Sequence, residues 1–471
     1  MKPAGKPTYQ IRKGNVLIMS LIFTIILSAL AVSMAAISGT NVQLAENHRR
    51  ADRARACAES GFDIIRHWLN RVSISGLTSE EQRFNQIATS LQSELTTDGI
   101  TNITTSCDGM TISIPRVSLD SVNSSSFSAT IIPLDADTLQ IDVTGVYGLI
   151  TRTIRGQYYI GEKGNSVFDF GVATKGPLSL SGNVELEGIN VNVEASVYIE
   201  SENSNLALSI IGNSQIAGDV DIVNSLATVD LQGGQAGIGG ETGQAAIDNH
   251  VDFGAPECDF PEPNPAQFES YVTSIVDANT DTSADATFEN IRIVAGTNPI
   301  FSGNVVLKGV VFIETPNVVE FTGGVDITGI VAGDGSLNDN SGTNQIIFRG
   351  NVDSQPVTEL PELSQFDGLH SQTGTFVVAP GFSVSFGGSF SSLSGAIAGN
   401  GIEFFGNAGG TINGSIINYS GEEMTLSGNS DLYFNRSGTS EAPAGFVPEI
   451  VLKYNPASYS ELTLSDVLNT D

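Results

Sequence analysis

Positive charge is scarce in this chain. Lysine and arginine number 21 against 52 acidic residues among 471. The shortage is uneven: residues 1–85 hold 11 of the cations and only 6 of the acids, leaving 10 cations against 46 acids from Gln86 onward. A surface of that sign repels DNA, RNA and anionic headgroups, which argues against a nucleic-acid partner. It suits a solvated exterior. Tryptophan occurs once, at Trp68, so the rest of the chain has no indole for a sugar-stacking site. Cysteine occurs three times with long spacings and no Cys-x-x-Cys, so a zinc site of that kind is excluded. Cys57 falls on a helix described below. Cys107 and Cys258 are the pair open to a disulfide outside the cytoplasm. No Gly-x-Ser-x-Gly, phosphate-binding loop or dinucleotide fingerprint is present, and no catalytic residues, metal or cofactor are assigned.

Two loops have oxygen or nitrogen donors close in sequence. Asp248-Asn-His250-Val-Asp252 has the weak spacing i, i+2, i+4, and reads as a surface loop. Asp334-Gly-Ser-Leu-Asn338-Asp339-Asn340 is a Gly-rich polar turn that lacks the closing bidentate glutamate of a calcium loop. A polysaccharide-active enzyme would need clustered acids and a basic partner. The cations of residues 165–442, Lys175, Arg292, Lys308, Arg349 and Arg436, are scattered.

One long apolar run is present and there is no second of comparable length. Val16 to Ile37 reads VLIMSLIFTIILSALAVSMAAI, 22 residues without a charge. As a helix it spans roughly 33 Å, enough to cross a bilayer core. Lys2, Lys6, Arg12 and Lys13 precede it with no acid among them, which predicts a cytoplasmic head and a C-terminal bulk on the far side. A cleaved signal peptide is the alternative, with Ala29 and Ala31 in the second half of the run, but an h-region is shorter than this. Beyond the run, Ala51, Ala54, Ala58, Phe62, Ile65, Leu69 and Val72 recur at steps of three and four, an amphipathic stripe. Arg55 and Glu59 are placed to pair at i,i+4. The pattern predicts one helix from about Asn15 to Val72, with Gly39 and Gly61 as weak points.

The basic head, Lys13-Gly14, the unbroken apolar helix, Asn47 and Ala56-Cys57-Ala58-Glu59-Ser60-Gly61 together resemble the start of type IV pilin-like proteins. The likeness is strongest to minor pilins of the PilX type and the large minor pseudopilin of type II secretion. It implies a prepilin peptidase cut between Gly14 and Asn15, and a helix, marked by Val16, Met19, Ile37, Ala58 and Glu59, that passes from membrane lipid into a filament of pilin-like or secretion-assembly subunits. Major pilins carry a glutamate where this chain has Met19.

Further on, Ser79 to Leu95 reads as a second helix, with Ser79 as cap and Gln82 three residues on. From about Gly109 the pattern turns to strands: TISIPRV, FSATIIPL, LQIDVTGVYG and ITRTIRGQYYI, an antiparallel meander against the helix stripe. From about Asn165 short apolar strands alternate with turn residues. Ser181-Gly-Asn-Val-Glu-Leu-Glu-Gly-Ile repeats at Ser302 and, in looser form, at Thr322, and Gly212 and Gly218 keep the same step of six. That is how a degenerate parallel β-helix reads, with Gly and Asn at the turns and Val, Ile and Leu stacked inside; an antiparallel sandwich is the competing architecture.

The expected fold is therefore α+β: a long transmembrane pilin-like helix with a small β-meander, then a mostly-β domain read as a right-handed parallel β-helix. The divisions are a basic leader (1–14), the helix (15–72), a pilin-like head (73–164), a glycine-rich β-helix (165–442) with insertions at 241–290 and 353–372, and a C-terminal cap (443–471). The expected function is structural, not enzymatic. It is that of a single-pass component of the cytoplasmic membrane, from a type IV pilus or type II secretion-like assembly, displaying the β-helix in the periplasm or at the cell surface. A permanently anchored adhesin or scaffold, or a polysaccharide-active enzyme, are the alternatives.

Overall fold

The structure is a computed structural model that describes residues 13–120, 124–201, 205–339, 342–437 and 442–462. The leader cations Lys2, Lys6 and Arg12, and Asn340 of the polar turn, lie outside these residues. The described residues form two units: those within 13–74, 78–161 and 451–462 make the first, and those within 75–77 and 162–450 the second.

In the first unit, α1 (Lys13–Leu69) is a single helix of 57 residues, about 86 Å long at 1.5 Å per residue. It is followed by β1 (Ser73–Ser75) and by α2 (Glu80–Thr97), which buries Phe84, Ile87, Ala88, Leu91 and Leu95 on one helical face. Ser79 does stand at the N-cap of α2, but its side chain makes no capping bond. Its carbonyl instead accepts from Gln82 N and Arg83 N, each at 2.9 Å. After β2 (Ser106–Cys107), strands β3 (Ile112–Asp120), β4 (Ser125–Pro133), β5 (Thr138–Tyr147) and β6 (Ile150–Lys163) form the expected antiparallel meander. Alternation fixes its inner face, where Phe127, Ala129, Ile131, Ile141 and Val143 are buried.

The sheet is larger than expected. Its order is β1, the strand Glu449–Leu462, β6, β5, β4, β3, β2. The C-terminal segment, expected as a closing cap on the repeat region, instead supplies a strand beside β6. Ser458 Oγ accepts from Gln157 N at 2.7 Å, and Tyr454 and Tyr459 pack on Phe62 of α1. The chain therefore leaves this sheet after β6 and returns next to β6, and the second unit is an insertion between two neighbouring strands.

The second unit is mostly β, and among the described residues its strand pairs are parallel apart from one short antiparallel hairpin, Gly237–Thr242, and one isolated bridge, Pro263–Phe446. A sandwich of antiparallel sheets is thus excluded. Three sheets of twelve, nine and seven strands are present. Early in the unit the chain visits them in turn: 172–174, 178–182, 185–188, then 197–199, 206–212, 215–216. All three line one apolar core of Val, Ile, Leu and Phe. Within it Phe301, Phe321, Phe348, Phe386 and Phe404 occupy one register position on five successive strands. Their ring centroids lie 4.9–5.0 Å apart and nearly parallel. That spacing is the distance between paired strands, so in-register parallel pairing imposes a face-to-face stack that isolated rings would avoid.

The turn residues form columns. Gly182, Gly212, Gly233, Gly406 and Gly428 all have positive φ, as expected for turn glycines. Gly303, Gly323, Gly350 and Gly388 do not. There a Cβ on each of the last three would overlap the carbonyl of the glycine one strand back, so close stacking is the reason. Asparagines make parallel ladders: Asn213 donates to Asn183 at 2.8 Å, Asn183 to Asn429 at 2.9 Å and Asn429 to Asn407 at 3.3 Å.

The order of strands has an unusual start. The first, 172–174, lies in the middle of the twelve-stranded sheet. Strands 197–199, 220–222 and 251–253 run from it to one end, where α3 (Gln244–His250) buries Ala246 in the core. The next strand, 274–276, lies at the other end, and later strands return until 416–418 pairs with 172–174. Residues 254–273 connect the two ends. With 357–369 they cover the outer face of this sheet: Phe268, Val357, Leu360, Phe366 and Leu369 pack on Val310, Phe312, Ile330 and Val378. Burial on both faces explains why VVFI and FVVA read as unbroken apolar runs.

Candidate assembly helix

Helix α1 has two halves with different surroundings. From Val16 to Leu44 its large apolar side chains are exposed all round, and the apolar stretch has a mean hydropathy of 2.6. It is long and apolar enough to cross a membrane. Met19, where the pilin pattern would put a glutamate, is 66% exposed on this surface. Gly14 and Asn15 lie in the first turn of the helix, and the described part of the leader begins at Lys13.

The second half is clamped to the sheet. Ala54, Ala58, Phe62, Ile65 and Leu69 are buried, as the stripe predicts, and so is Val72 just beyond the helix end; Ala51 is half-buried, and Cys57, Gly61 and Trp68 extend the buried face. The closest approach is at Gly145 on β5, where the space a Cβ would need is filled by the Ala54 carbonyl and the Ala58 amide. Gly61, read from sequence as a weak point, is where the Phe127 ring lies against the helix. Gly156 on β6 receives the Phe62 ring in the same way. Gly145 and Gly156 were not singled out from sequence, although a lone glycine inside a strand pattern signals close approach of another backbone.

Charges flank this clamp. Glu46 accepts from Arg49 and Arg50, each at 2.9 Å, and these bonds hold its carboxyl below the usual range. Arg53 hydrogen-bonds Tyr147 and lies 5.0 Å from the centre of its ring. Arg55 donates to Glu59 at 2.9 Å, the i,i+4 pair predicted, and Tyr459 donates to the same carboxylate at 3.2 Å. Such exposed pairs contribute little stability but fix the angle of the side chains.

The other residues singled out from sequence are not brought together. Cys57, Cys107 and Cys258 are free thiols, so the bridge between Cys107 and Cys258 is not formed. Cys107 lies 3.3 Å from Asn85 Oδ1 in the first unit, while Cys258 lies on the covering segment of the second. His250 is bonded to Asp219 at 2.8 Å, and Asp248 accepts from Gln244. Asp334 and Asp339 each accept from a backbone amide, of Thr315 and Ser336. Among the described residues no group of three His, Cys, Asp or Glu is placed to hold a metal ion. Arg292 pairs with Glu269 and Glu314, Arg349 with Glu320, and Arg436 with Asp169.

Residues 13–63 match the protein family described as PilX N-terminal. Among solved structures, the competence-associated pilin ComZ from Thermus thermophilus aligns with 88% of this chain and 97% of its own, at 11% identity and a TM-score of 0.29. No curated protein matches the chain.

Proposed function

We propose that this protein is a minor pilin-like or pseudopilin-like subunit of a type IV pilus or type II secretion-like assembly. The observation that carries the reading is the two-part helix. Residues 16–37 carry no charge, expose large apolar side chains on every side and are covered by none of the described residues, and they continue without a break into a segment locked on its own sheet. A helix of that kind is stable only in lipid or among like helices. Before assembly it is a single-pass anchor in the cytoplasmic membrane with the basic head inside. After a prepilin peptidase cuts between Gly14 and Asn15, it packs into a filament with other pilin-like subunits. No bond chemistry is required of the subunit itself.

The second unit is read as a degenerate parallel β-helix displayed in the periplasm or at the cell surface. Its three parallel sheets around one core, visited in turn early in the unit, support this, and the prevailing hand of parallel crossovers favours a right-handed coil. Insertion between neighbouring strands lets the pilin-like sheet carry this load without losing its own pairing.

Replacing Gly14 by valine tests the reading. The variant is expected to accumulate in the membrane with its leader and to be absent from sheared surface filaments. Unchanged processing and release of Gly14→Val would refute the assignment of the cut.

A further inference from the structure

The outer face of the nine-stranded sheet carries a cleft of about 680 Å³ that none of the foregoing uses. Its origin is a run of short side chains. The strand Ser383–Phe386 and the residue after it present Ser383, Ser385 and Gly387 outward, since Val384 and Phe386 point into the core. The preceding strand in the sheet presents the longer Gln345, Ile347 and Arg349. Gln345 pairs with Ser383 and Ile347 with Ser385. On the other side Ser385 pairs with Glu403, and Glu403 with Thr425. Ser383 and Ser385 thus make a floor between two walls, with Gly401 opening the second wall beside Ser383, and the cleft follows the strand.

The groups that line it have a definite chemistry. The ring of Phe405 lies across Gly387, where even a Cβ would come within 2.5 Å of it. This leaves a flat, half-buried aromatic face at one end. Arg349 is neutralised by its bond to Glu320. Glu403 and Glu423 are exposed and have no hydrogen-bond or ion-pair partner among the described residues. The cleft is therefore net negative, which disfavours phosphates, uronates and nucleic acid. It offers carboxylate acceptors, a hydroxyl floor and an aromatic platform in one elongated space. A ligand that satisfies all three has many hydroxyl donors at its rim and apolar C–H faces. A cationic peptide could also answer the carboxylates and set a cation over the ring, so it is carried as the competing probe in the test.

We infer that this cleft binds a neutral oligosaccharide, with Glu403 and Glu423 accepting from sugar hydroxyls and Phe405 stacking on a ring face. The inference is independent of how the N-terminal helix is used. It is tested on the full chain in detergent with immobilised neutral hexasaccharides of glucose, galactose, mannose and N-acetylglucosamine. A hexa-uronate and hexalysine serve as competing probes. At least one neutral hexasaccharide is expected to bind and the hexa-uronate is not. Glu403→Gln and Glu423→Gln, both on exposed positions, should each weaken binding about tenfold, the loss of one charged hydrogen bond. Ser385→Phe, which fills the floor, should abolish it while the far-UV circular dichroism melt stays in place. If none of the four neutral sugars binds, or binding survives Ser385→Phe, the inference is overturned. Binding of hexalysine alone would overturn it too, and would assign the cleft to a cationic peptide.

Discussion

Gly145 governs how near α1 comes to its sheet. With hydrogen there, the backbone of the helix at Ala54 and Ala58 rests directly on β5. A methyl group has no room, and overpacking of this kind costs about 1–3 kcal/mol. Gly145→Ala should therefore destabilise the first unit by that amount. Trp68, the single tryptophan and 4% exposed on α1, reports it without a label. Its emission should shift red at lower denaturant in the variant than in the parent chain. An unchanged midpoint would mean that the helix is held elsewhere, at Phe62 or Trp68. The sequence marked Ala54 and Ala58 through their spacing, but it did not single out their partner. A helix stripe shows which face is buried and carries no mark of what covers it.

At the level of elements, the phenylalanine stack is the feature that most depends on register. Phe348 lies in its middle, fully buried between Phe321 and Phe386. Phe348→Ala would leave a cavity in the middle of the stack, at a cost of about 3–5 kcal/mol to the second unit. The expected result is an earlier far-UV circular dichroism transition while the Trp68 transition stays where it was. A joint shift would show that the two units unfold as one. Repeats and turns were legible here because a glycine step of six is local. The columns at Gly303, Gly323, Gly350 and Gly388 show that the step has two causes, left-handed backbone at some turns and simple lack of space at others. Inward phenylalanines were legible as apolar residues, but their stacking was not, because it follows from which strands are neighbours. The cleft was hidden for the same reason: Ser383, Ser385 and Gly387 gain meaning only beside Gln345, Ile347 and Arg349.

For the whole molecule, the connections matter more than any one contact. Residues 416–434 pair with 172–188, and the C-terminal strand pairs beside β6, so both closures join segments more than two hundred residues apart. Alternation along a strand specifies its faces and says nothing of its distant partner, which is why the C-terminal segment read as a cap. Because the second unit begins and ends at neighbouring strands, replacing 164–448 by a short Gly/Ser linker should leave a folded first unit. The shortened protein in detergent is expected to show the blue-shifted emission of buried Trp68 and one cooperative transition. Exposed Trp68 emission would show that the sheet needs the inserted unit. For the proposed pilin-like subunit, handled through its N-terminus, the mass of the mature chain is the most direct test. Mass spectrometry of the protein from its native membrane should give a chain beginning at Asn15. A chain that still begins at Met1, or one cut near Ala36, would contradict it.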